Sequence, residues 1–297
     1  MNRAILSSRL SLSRIVYGMW RIGDDADISA KHVQAKIETC LEHGITTLDQ
    51  ADIYGGYEAE ALLGACLKEA PSLRDRIQII TKCGIIAPIG RHSDARIKHY
   101  DTSAEHIKKS IDLSLKNMRT SQIDLLLIHR PDPFMDYEKT GRALDDAIET
   151  GKVRAVGVSN FRPYDISLLQ SAMHRQLITN QIELSLMQTD PFTNGDLAYL
   201  QEHELAPMAW SPLGGGKLFG DDYSALHTKL TQMGHAHSVD AGAMAIAWLL
   251  AHPAGIIPII GTNNMTRIAA LAKANTVEMD RQSWFELYTA AIGRNVA

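Results

Sequence analysis

Short runs of β-branched and aliphatic residues recur along the chain, each followed by a segment of helical period, and this alternation limits the possible folds more than any other feature. The runs are Ile45 to Leu48, Ile77 to Ile80, Ile123 to Ile128, Val153 to Val158, Leu177 to Ile182, Ala206 to Trp210 and Ile256 to Ile260, all too short for helices. Between them the helical segments are well punctuated. One runs from Ala30 to Glu42 and ends at Gly44, one from Glu58 to Glu69 before Pro71, and one from Tyr137 to Glu149 before Gly151. Thr102 to Met118 places Ile107, Ile111, Leu115 and Met118 on one stripe, and Thr102 with Glu105 reads as its capping box. Tyr17 to Trp20 supplies a first strand and brings the count to eight. Strands apolar on both faces belong to a parallel sheet covered on both sides, and eight such units predict a closed (β/α)8 TIM barrel rather than an open sheet.

Length alone leaves the domain count open, because 297 residues fit two domains of ~150 residues or one barrel of ~250 residues with additions. No Pro/Ser-rich linker divides the chain, so residues 1–297 are read as a single barrel domain. The additions are an N-terminal β-hairpin, in which Ala4 to Leu6 and Leu12 to Val16 flank a Ser7-Ser8-Arg9 tip, and a C-terminal extra helix. Gly214 to Val239, rich in Gly, His and Asp, reads as a long insertion before a helix at Ala241 to Leu250. In the closing helix, Trp284, Leu287, Tyr288 and Ala291 are spaced for packing on the barrel rather than for covering a substrate.

The formal net charge of −4, with signs interspersed, offers no basic face for nucleic acid or an anionic membrane. No apolar run reaches the ~18 residues of a membrane span. Cys40, Cys66 and Cys83 are odd in number and lack C-x-x-C spacing, which predicts a reducing, cytoplasmic setting. Arg3, Arg9 and Arg14, with no acid before Asp24, have the flavour of a transit peptide, yet the segment runs into Tyr17 without a linker or cleavage pattern and is read as the hairpin.

A barrel gathers the C-terminal ends of its strands at one face, so polar residues there are read together. Ile45 to Leu48 ends in Asp49, and Tyr54 follows in the next loop. Ile77 to Thr81 ends in Lys82, and Leu125 to Ile128 ends in His129. Taken singly, a strand-end Asp is commonly a cap and a Lys commonly solvated. Taken jointly, a Lys82 paired with Asp49 is expected to lower the phenol pKa of Tyr54 from ~10 and make it a tuned proton donor. His129 is then placed to hydrogen-bond a carbonyl oxygen. Arg130, next to it, reads first as a solvated or structurally paired arginine, and the sharper alternative is a preference for anionic or polar carbonyls.

At this point the chain resembles the aldo-keto reductase superfamily. The resemblance rests on G-I-T-T-L-D-Q-A-D-I-Y at 44–54, Thr81-Lys82, L-L-L-I-H-R-P at 125–131, G-K-V-R-A-V-G-V-S-N-F at 151–161, Asn180-Gln181 and W-S-P-L-G-G-G at 210–216. It spans nearly the whole chain in the family's order, and D-x-A-D-I-Y-G-G-Y is most similar to a bacterial branch of NADP-dependent oxidoreductases. It implies metal-independent hydride transfer from NADPH to an aldehyde or ketone, with Tyr54 as general acid, Lys82 and Asp49 setting its pKa, and His129 orienting the carbonyl. It also implies Trp210 stacked on the nicotinamide, with Ser159, Asn160 and Gln181 holding the carboxamide. Ser211, Pro212, Leu213, Gly214, Gly216 and Lys217 would fold over the pyrophosphate, Gly261, Thr262 and Arg267 would hold the adenosine end, and Gly18, Met19 and Trp20 would line the site, Trp20 touching substrate as well. Gly261 stands where strongly NADPH-selective members often carry lysine, and Leu271 stands where an asparagine would meet adenine, so NADH is the alternative cofactor. The expected partner is a small carbonyl compound, and the expected state a monomer.

Other motifs fail. Gly214-Gly215-Gly216 does not extend to G-x-G-x-x-G because position 219 is Phe, and Gly216-Lys217 is followed by Leu218 rather than the Ser/Thr of a P-loop. His235-x-His237 lacks a third ligand at metal spacing. Two other functions use a similar frame: a Schiff-base lyase or aldolase with Lys82 as nucleophile, and a slow regulatory module that resembles the channel-associated β-subunits sharing this fold.

Overall fold

The fold was read from a computed structural model that describes residues 3–7 and 10–297. The twelve strands are β1 (Arg3–Ser7), β2 (Leu10–Ser13), β3 (Val16–Gly18), β4 (Thr47–Asp49), β5 (Gln78–Cys83), β6 (Ile85–Ile86), β7 (His99–Tyr100), β8 (Ile123–Ile128), β9 (Val153–Ser159), β10 (Leu177–Glu183), β11 (Ala206–Trp210) and β12 (Ile257–Ile260). Eight of them, β3, β4, β5, β8, β9, β10, β11 and β12, close into one parallel barrel in that order. All eight predicted strands are therefore present. The first, predicted over Tyr17 to Trp20, is Val16–Gly18 instead, and Met19 and Trp20 lie in the turn beyond it.

The helices are α1 (Ala30–Glu42), α2 (Tyr54–Tyr57, one distorted turn), α3 (Ala59–Glu69), α4 (Ala104–Met118), α5 (Tyr137–Glu149), α6 (Pro163–Gln170), α7 (Asp196–Glu202), α8 (Ser224–Ala236), α9 (Ala241–Leu250), α10 (Met265–Ala272) and α11 (Arg281–Ile292). Side-chain caps start many of them: Ser29, Asp136, Asp240, Asn264 and Asp280 each accept from a backbone N–H in the first turn. The cap of α4 is Ser103, which accepts from the His106 N–H, and not the Thr102–Glu105 box expected from sequence. The Thr102 hydroxyl is taken by Asp132, 2.9 Å away on the next loop, so a tertiary contact outbids the local cap. The Gly214 to Val239 stretch, read as an insertion with exposed loop histidines, folds into a 3-10 turn and then α8. His235 lies within that helix and His237 caps its end. Leu226 and Leu230, four apart and buried, supply the stripe that holds it down.

At the bottom of the barrel the β1–β2 hairpin forms as expected. Leu10 and Leu12 are buried in the same cluster as Val16, Ile80, Leu125, Leu127, Met208 and Ile257, so they plug the barrel floor. Ser8 and Arg9 of the expected tip lie outside the described residues. Outside the barrel, α3 and α4 pack so closely that a Cβ at Gly64 would fall 1.8 Å from the Asn117 carbonyl oxygen, which reserves that position for glycine. On the far side, α11 seals the wall as predicted: Trp284 stacks on Trp248 with centroids 4.9 Å apart, and each indole N–H donates to the other residue's carbonyl. Among the described residues no helix is long and apolar enough to cross a membrane.

Candidate active site

Side chains alternate in and out along a strand, so the residues that fill the barrel determine which ones emerge at its mouth. Ile80 inside is followed two residues later by Lys82, Leu125 and Leu127 by His129, Ala155 by Gly157 and Ser159, Met208 by Trp210, and Val16 by Gly18. Parallel register carries these ends to one level, with Gly18 beside Asp49, Cys83 beside Ile128 and Ser159 beside Gln181. The mouth is therefore a consequence of the packed interior beneath it.

Asp49 and Lys82 form a fully buried pair in which Nζ donates to both carboxylate oxygens at 2.8 Å, and also to the Gln50 carbonyl at 2.9 Å. Gln181 Nε2 donates to Asp49 Oδ1 at 2.9 Å, which adds a neutral partner to the acid. The remaining contact of the ammonium is with Tyr54, whose Oη lies 3.1 Å from Nζ. Because Lys82 has no acceptor to offer, the phenol oxygen must accept here, and its own proton is left to point into the open groove. Burial works against the charge on Lys82, but Asp49 and Tyr54 outweigh it and hold the ammonium above its ordinary pKa.

The expected lowering of the Tyr54 pKa is not what the geometry gives. Burial raises it, and the opposing pull of Lys82 is blunted because Asp49 lies behind that charge and pushes the other way. Tyr54 is therefore a firmly protonated phenol. His129 stands edge-on to it, with ring centroids 6.0 Å apart. Burial, together with the positive charges of Lys82 and Arg130, drives the His129 pKa well below its ordinary value, so the ring is neutral. Its Nδ1 is buried with no partner. An orphaned acceptor costs less than an orphaned N–H, which favours the tautomer with the proton on Nε2.

A groove of ≈ 2050 Å³ adjoins this point, and its lining includes Asp49, Tyr54, His129, Arg130 and Trp210 as well as Trp20, Thr262, Arg267 and Leu271. Gly18, Ser159, Asn160, Gln181, Ser211, Pro212, Leu213, Gly216 and Gly261 also line it. Asn160 is fixed by three bonds: its Oδ1 accepts from the Trp210 indole at 2.9 Å, and its Nδ2 donates to Ser159 Oγ and to the His129 carbonyl. Asn160 and Ser211 both hold left-handed backbone, with φ of 61° and 50°, an outlier conformation that turns two strand ends toward the groove.

Four of the predicted residues are not among those lining the groove. Met19 is fully buried, with its sulfur against the Gln50 amide. Gly214 faces Met187, since a Cβ there would come within 2.8 Å of its sulfur, and Lys217 is not among the lining residues. Lys82 is likewise behind the surface and reaches the groove only through Tyr54. Several lining residues escaped the sequence reading, among them Arg21, Asn263, Phe219 and His227. Asn263 ties two walls together by donating to the Arg21 carbonyl at 2.6 Å and to Asp25 at 3.0 Å, and the loop signal after Gly261-Thr262 was its only trace in the sequence.

The model of the Aldo/keto reductase family matches residues 14–291. A 6-dehydroglucose reductase from Agrobacterium fabrum is 66% identical over 297 residues, with 100% of both chains covered. A second 6-dehydroglucose reductase, from Novosphingobium aromaticivorans, is 40% identical, with 99% of this chain and 96% of that one covered. Among solved structures, an aldo-keto reductase from Klebsiella pneumoniae in complex with NADPH shares the fold with a TM-score of 0.79 at 22% identity, over 93% of this chain and 90% of that one.

Proposed function

The chain belongs to the aldo/keto reductase family, and from that premise we propose that it reduces the aldehyde of a hydroxylated sugar, 6-dehydroglucose or a close analogue, with NADPH as the hydride donor. One observation carries the reading: Lys82 donates to the Tyr54 oxygen and so frees the phenol proton for the groove, beside a neutral His129.

The groove has the donors and acceptors that a dinucleotide needs. Gln181 spends its amide N–H on Asp49, which leaves its Oε1 to accept from a carboxamide. The Arg267 guanidinium, exposed at the start of α10, is free to meet a phosphate or stack on a base. Gly215 and Gly216 line the wall in left-handed backbone with open space in front of them, which lets a pyrophosphate approach main-chain N–H groups. When bound, the nicotinamide supplies a hydride to the carbonyl carbon.

The protein supplies the rest. Tyr54 Oη gives its proton to the carbonyl oxygen as negative charge builds there, and the ammonium of Lys82 stabilises the phenolate that remains. His129 Nε2–H donates to the same oxygen and orients it. Asp49 keeps Lys82 charged, and Gln181 keeps Asp49 in place. A Schiff-base mechanism asks Lys82 to be a neutral amine, whereas every proton of its ammonium is engaged and Asp49 favours the charged form.

The substrate assignment is drawn from the two relatives named for 6-dehydroglucose, which carries an aldehyde where glucose has its terminal hydroxymethyl group. The groove lining combines aromatic faces with guanidinium donors, which suits a ring bearing C–H faces and hydroxyls. Trp20 is 49% exposed with Arg21 4.4 Å above its ring, and Arg130 lies 5.8 Å from the Trp210 centroid. In a continuous assay of NADPH absorbance, 6-dehydroglucose is expected to give rapid multiple turnover with a kcat/KM well above that of a simple aliphatic aldehyde, and NADH to serve less well. A single slow oxidation per bound cofactor would point instead to a regulatory module.

A further inference from the structure

Tyr54 does its work only if its hydroxyl stays at hydrogen-bonding distance from Lys82, yet the turn that carries it is weakly built. Before Tyr54 the backbone is pinned to the barrel: Gln50 N–H donates to the Ile80 carbonyl at 2.8 Å, and Asp52 N–H to the Lys82 carbonyl at 3.0 Å. After Tyr54 the chain passes through three consecutive left-handed residues, Gly55, Gly56 and Tyr57, with φ of 57°, 66° and 76°. The turn has backbone bonds of its own, Tyr54 N–H to the Ala51 carbonyl at 3.1 Å, Tyr57 N–H to Ile53 at 3.3 Å and Glu58 N–H to Tyr54 at 3.2 Å, but two glycines and a strained tyrosine make it costly to keep in this one conformation.

The excursion between β5 and α4 braces them from outside. Tyr57 Oη donates to the Ile85 carbonyl at 3.2 Å and accepts from the Ala87 N–H at 2.9 Å. The two backbones touch, since a Cβ on Gly90 would lie 2.3 Å from the Gly56 carbonyl oxygen. Arg91 completes the contact. Its guanidinium lies 4.6 Å over the Tyr57 ring, its Nε donates to His92 Nε2 at 3.2 Å, and its Nη2 reaches back to Asp52 Oδ2 at 3.2 Å. Asp52 and Tyr57 flank Tyr54 on either side in sequence, and Arg91 touches both.

Asp52 is an expensive residue to keep there. Its side chain is fully buried, Arg91 is its ion-pair partner, and its Oδ1 has no hydrogen bond. An asparagine or an apolar residue would cost less if filling space were the only task. We propose that Asp52 and Arg91 are positioning residues: the ion pair between the buried carboxylate and the partly exposed guanidinium, seated over Tyr57, clasps the excursion of residues 85–100 to the turn and so sets the place of the Tyr54 hydroxyl relative to Lys82. This rests on the reading of Tyr54 as the proton donor.

The clasp has a pH signature. The groups that act on Asp52 are Arg91 from the excursion, Glu60 from α3 and Lys82 from β5. Burial dominates and, with Glu60 adding to it and Arg91 and Lys82 opposing it, pushes the carboxyl up to about 8. Asp52 therefore gains its charge, and the ion pair its strength, as pH rises through that value.

The test uses the full chain with NADPH and 6-dehydroglucose, following kcat, the NADPH Kd and the melting temperature for Asp52→Asn, Arg91→Ala and Arg91→Lys. Above pH about 8, where Asp52 is charged, misplacing a catalytic group by a fraction of an ångström is expected to lower kcat roughly ten- to hundred-fold in the first two variants, with NADPH Kd unchanged. Arg91→Lys, which keeps the charge, recovers part of the loss. The ratio of wild-type to Asp52→Asn kcat rises as pH climbs through about 8. In a Tyr54→Phe background, Arg91→Ala adds no further loss. An unchanged kcat, or a loss that tracks the melting temperature with a pH-independent ratio, overturns the clasp alone when Tyr54→Phe is itself inactive. Full activity of Tyr54→Phe overturns both the clasp and the reading beneath it.

Discussion

Tyr54→Phe is expected to bind NADPH as the unaltered protein does and to lose kcat by ~10²- to 10⁴-fold, the usual contribution of a positioned general acid. The substitution removes one oxygen and leaves the ring. Lys82 keeps both Asp49 oxygens and the Gln50 carbonyl as acceptors, so the buried pair survives and the fold is not disturbed. Because no cofactor-site candidate donates to or accepts from Tyr54, the Kd for NADPH stays put while kcat and kcat/KM fall together, which marks an interaction made in the transition state. Steady-state kinetics beside fluorescence titration of NADPH separates the two quantities. A Tyr54→Phe variant with near-full kcat would remove Tyr54 from the chemistry.

Lys82→Met is expected to cost both activity and stability, through different physics. The Asp49 carboxylate would remain almost wholly buried, with Gln181 as its one remaining side-chain donor among the described residues. Breaking one side of a buried ion pair in this way typically costs about 3–5 kcal/mol. Replacing both partners, as in Asp49→Leu/Lys82→Met, removes the uncompensated charge, and the double variant is expected to regain most of the lost stability. It regains no activity, because the ammonium that stabilises the Tyr54 phenolate is gone. Denaturant unfolding and kcat measured on the same three proteins test this. If activity returns along with stability, Lys82 is a structural residue and nothing more.

Much of the fold could be read from the residues because its signals are local. Helices α1 and α5 end where Gly44 and Gly151 said they would and begin at side-chain caps. Strand ends were less legible, and β4 forms over Thr47–Asp49 rather than Ile45–Leu48. A strand buried on both faces has no polar alternation to mark its register, and its limits are decided by neighbours such as β3 and β5. Helix α8 was hidden because its glycine, histidines and polar residues resemble a loop, while the stripe that fixes it is only Leu226 and Leu230.

The candidate site follows the same division. Asp49, Lys82 and His129 were legible because strand ends of a barrel converge whatever the loops do. The direction of the Tyr54 pKa was not, because it depends on how deeply the phenol is buried and on the acid behind Lys82, neither of which has a sequence signature. Asp52 and Arg91 were also invisible, since 39 residues and an irregular excursion separate them before the fold closes. Of the cofactor-site candidates that the resemblance implied, Met19, Gly214 and Lys217 are not among the residues lining the groove, and Met19 is fully buried.

Direct hydride transfer to a sugar aldehyde is the central claim, and isotope transfer tests it without reference to any one residue. With NADPH dideuterated at nicotinamide C4 and 6-dehydroglucose as acceptor, the account predicts glucose carrying one deuterium on its terminal carbon, formed in step with cofactor oxidation and in many turnovers per protein. Glucose formed without deuterium, or a substrate carbon trapped on Lys82 by borohydride, would contradict it.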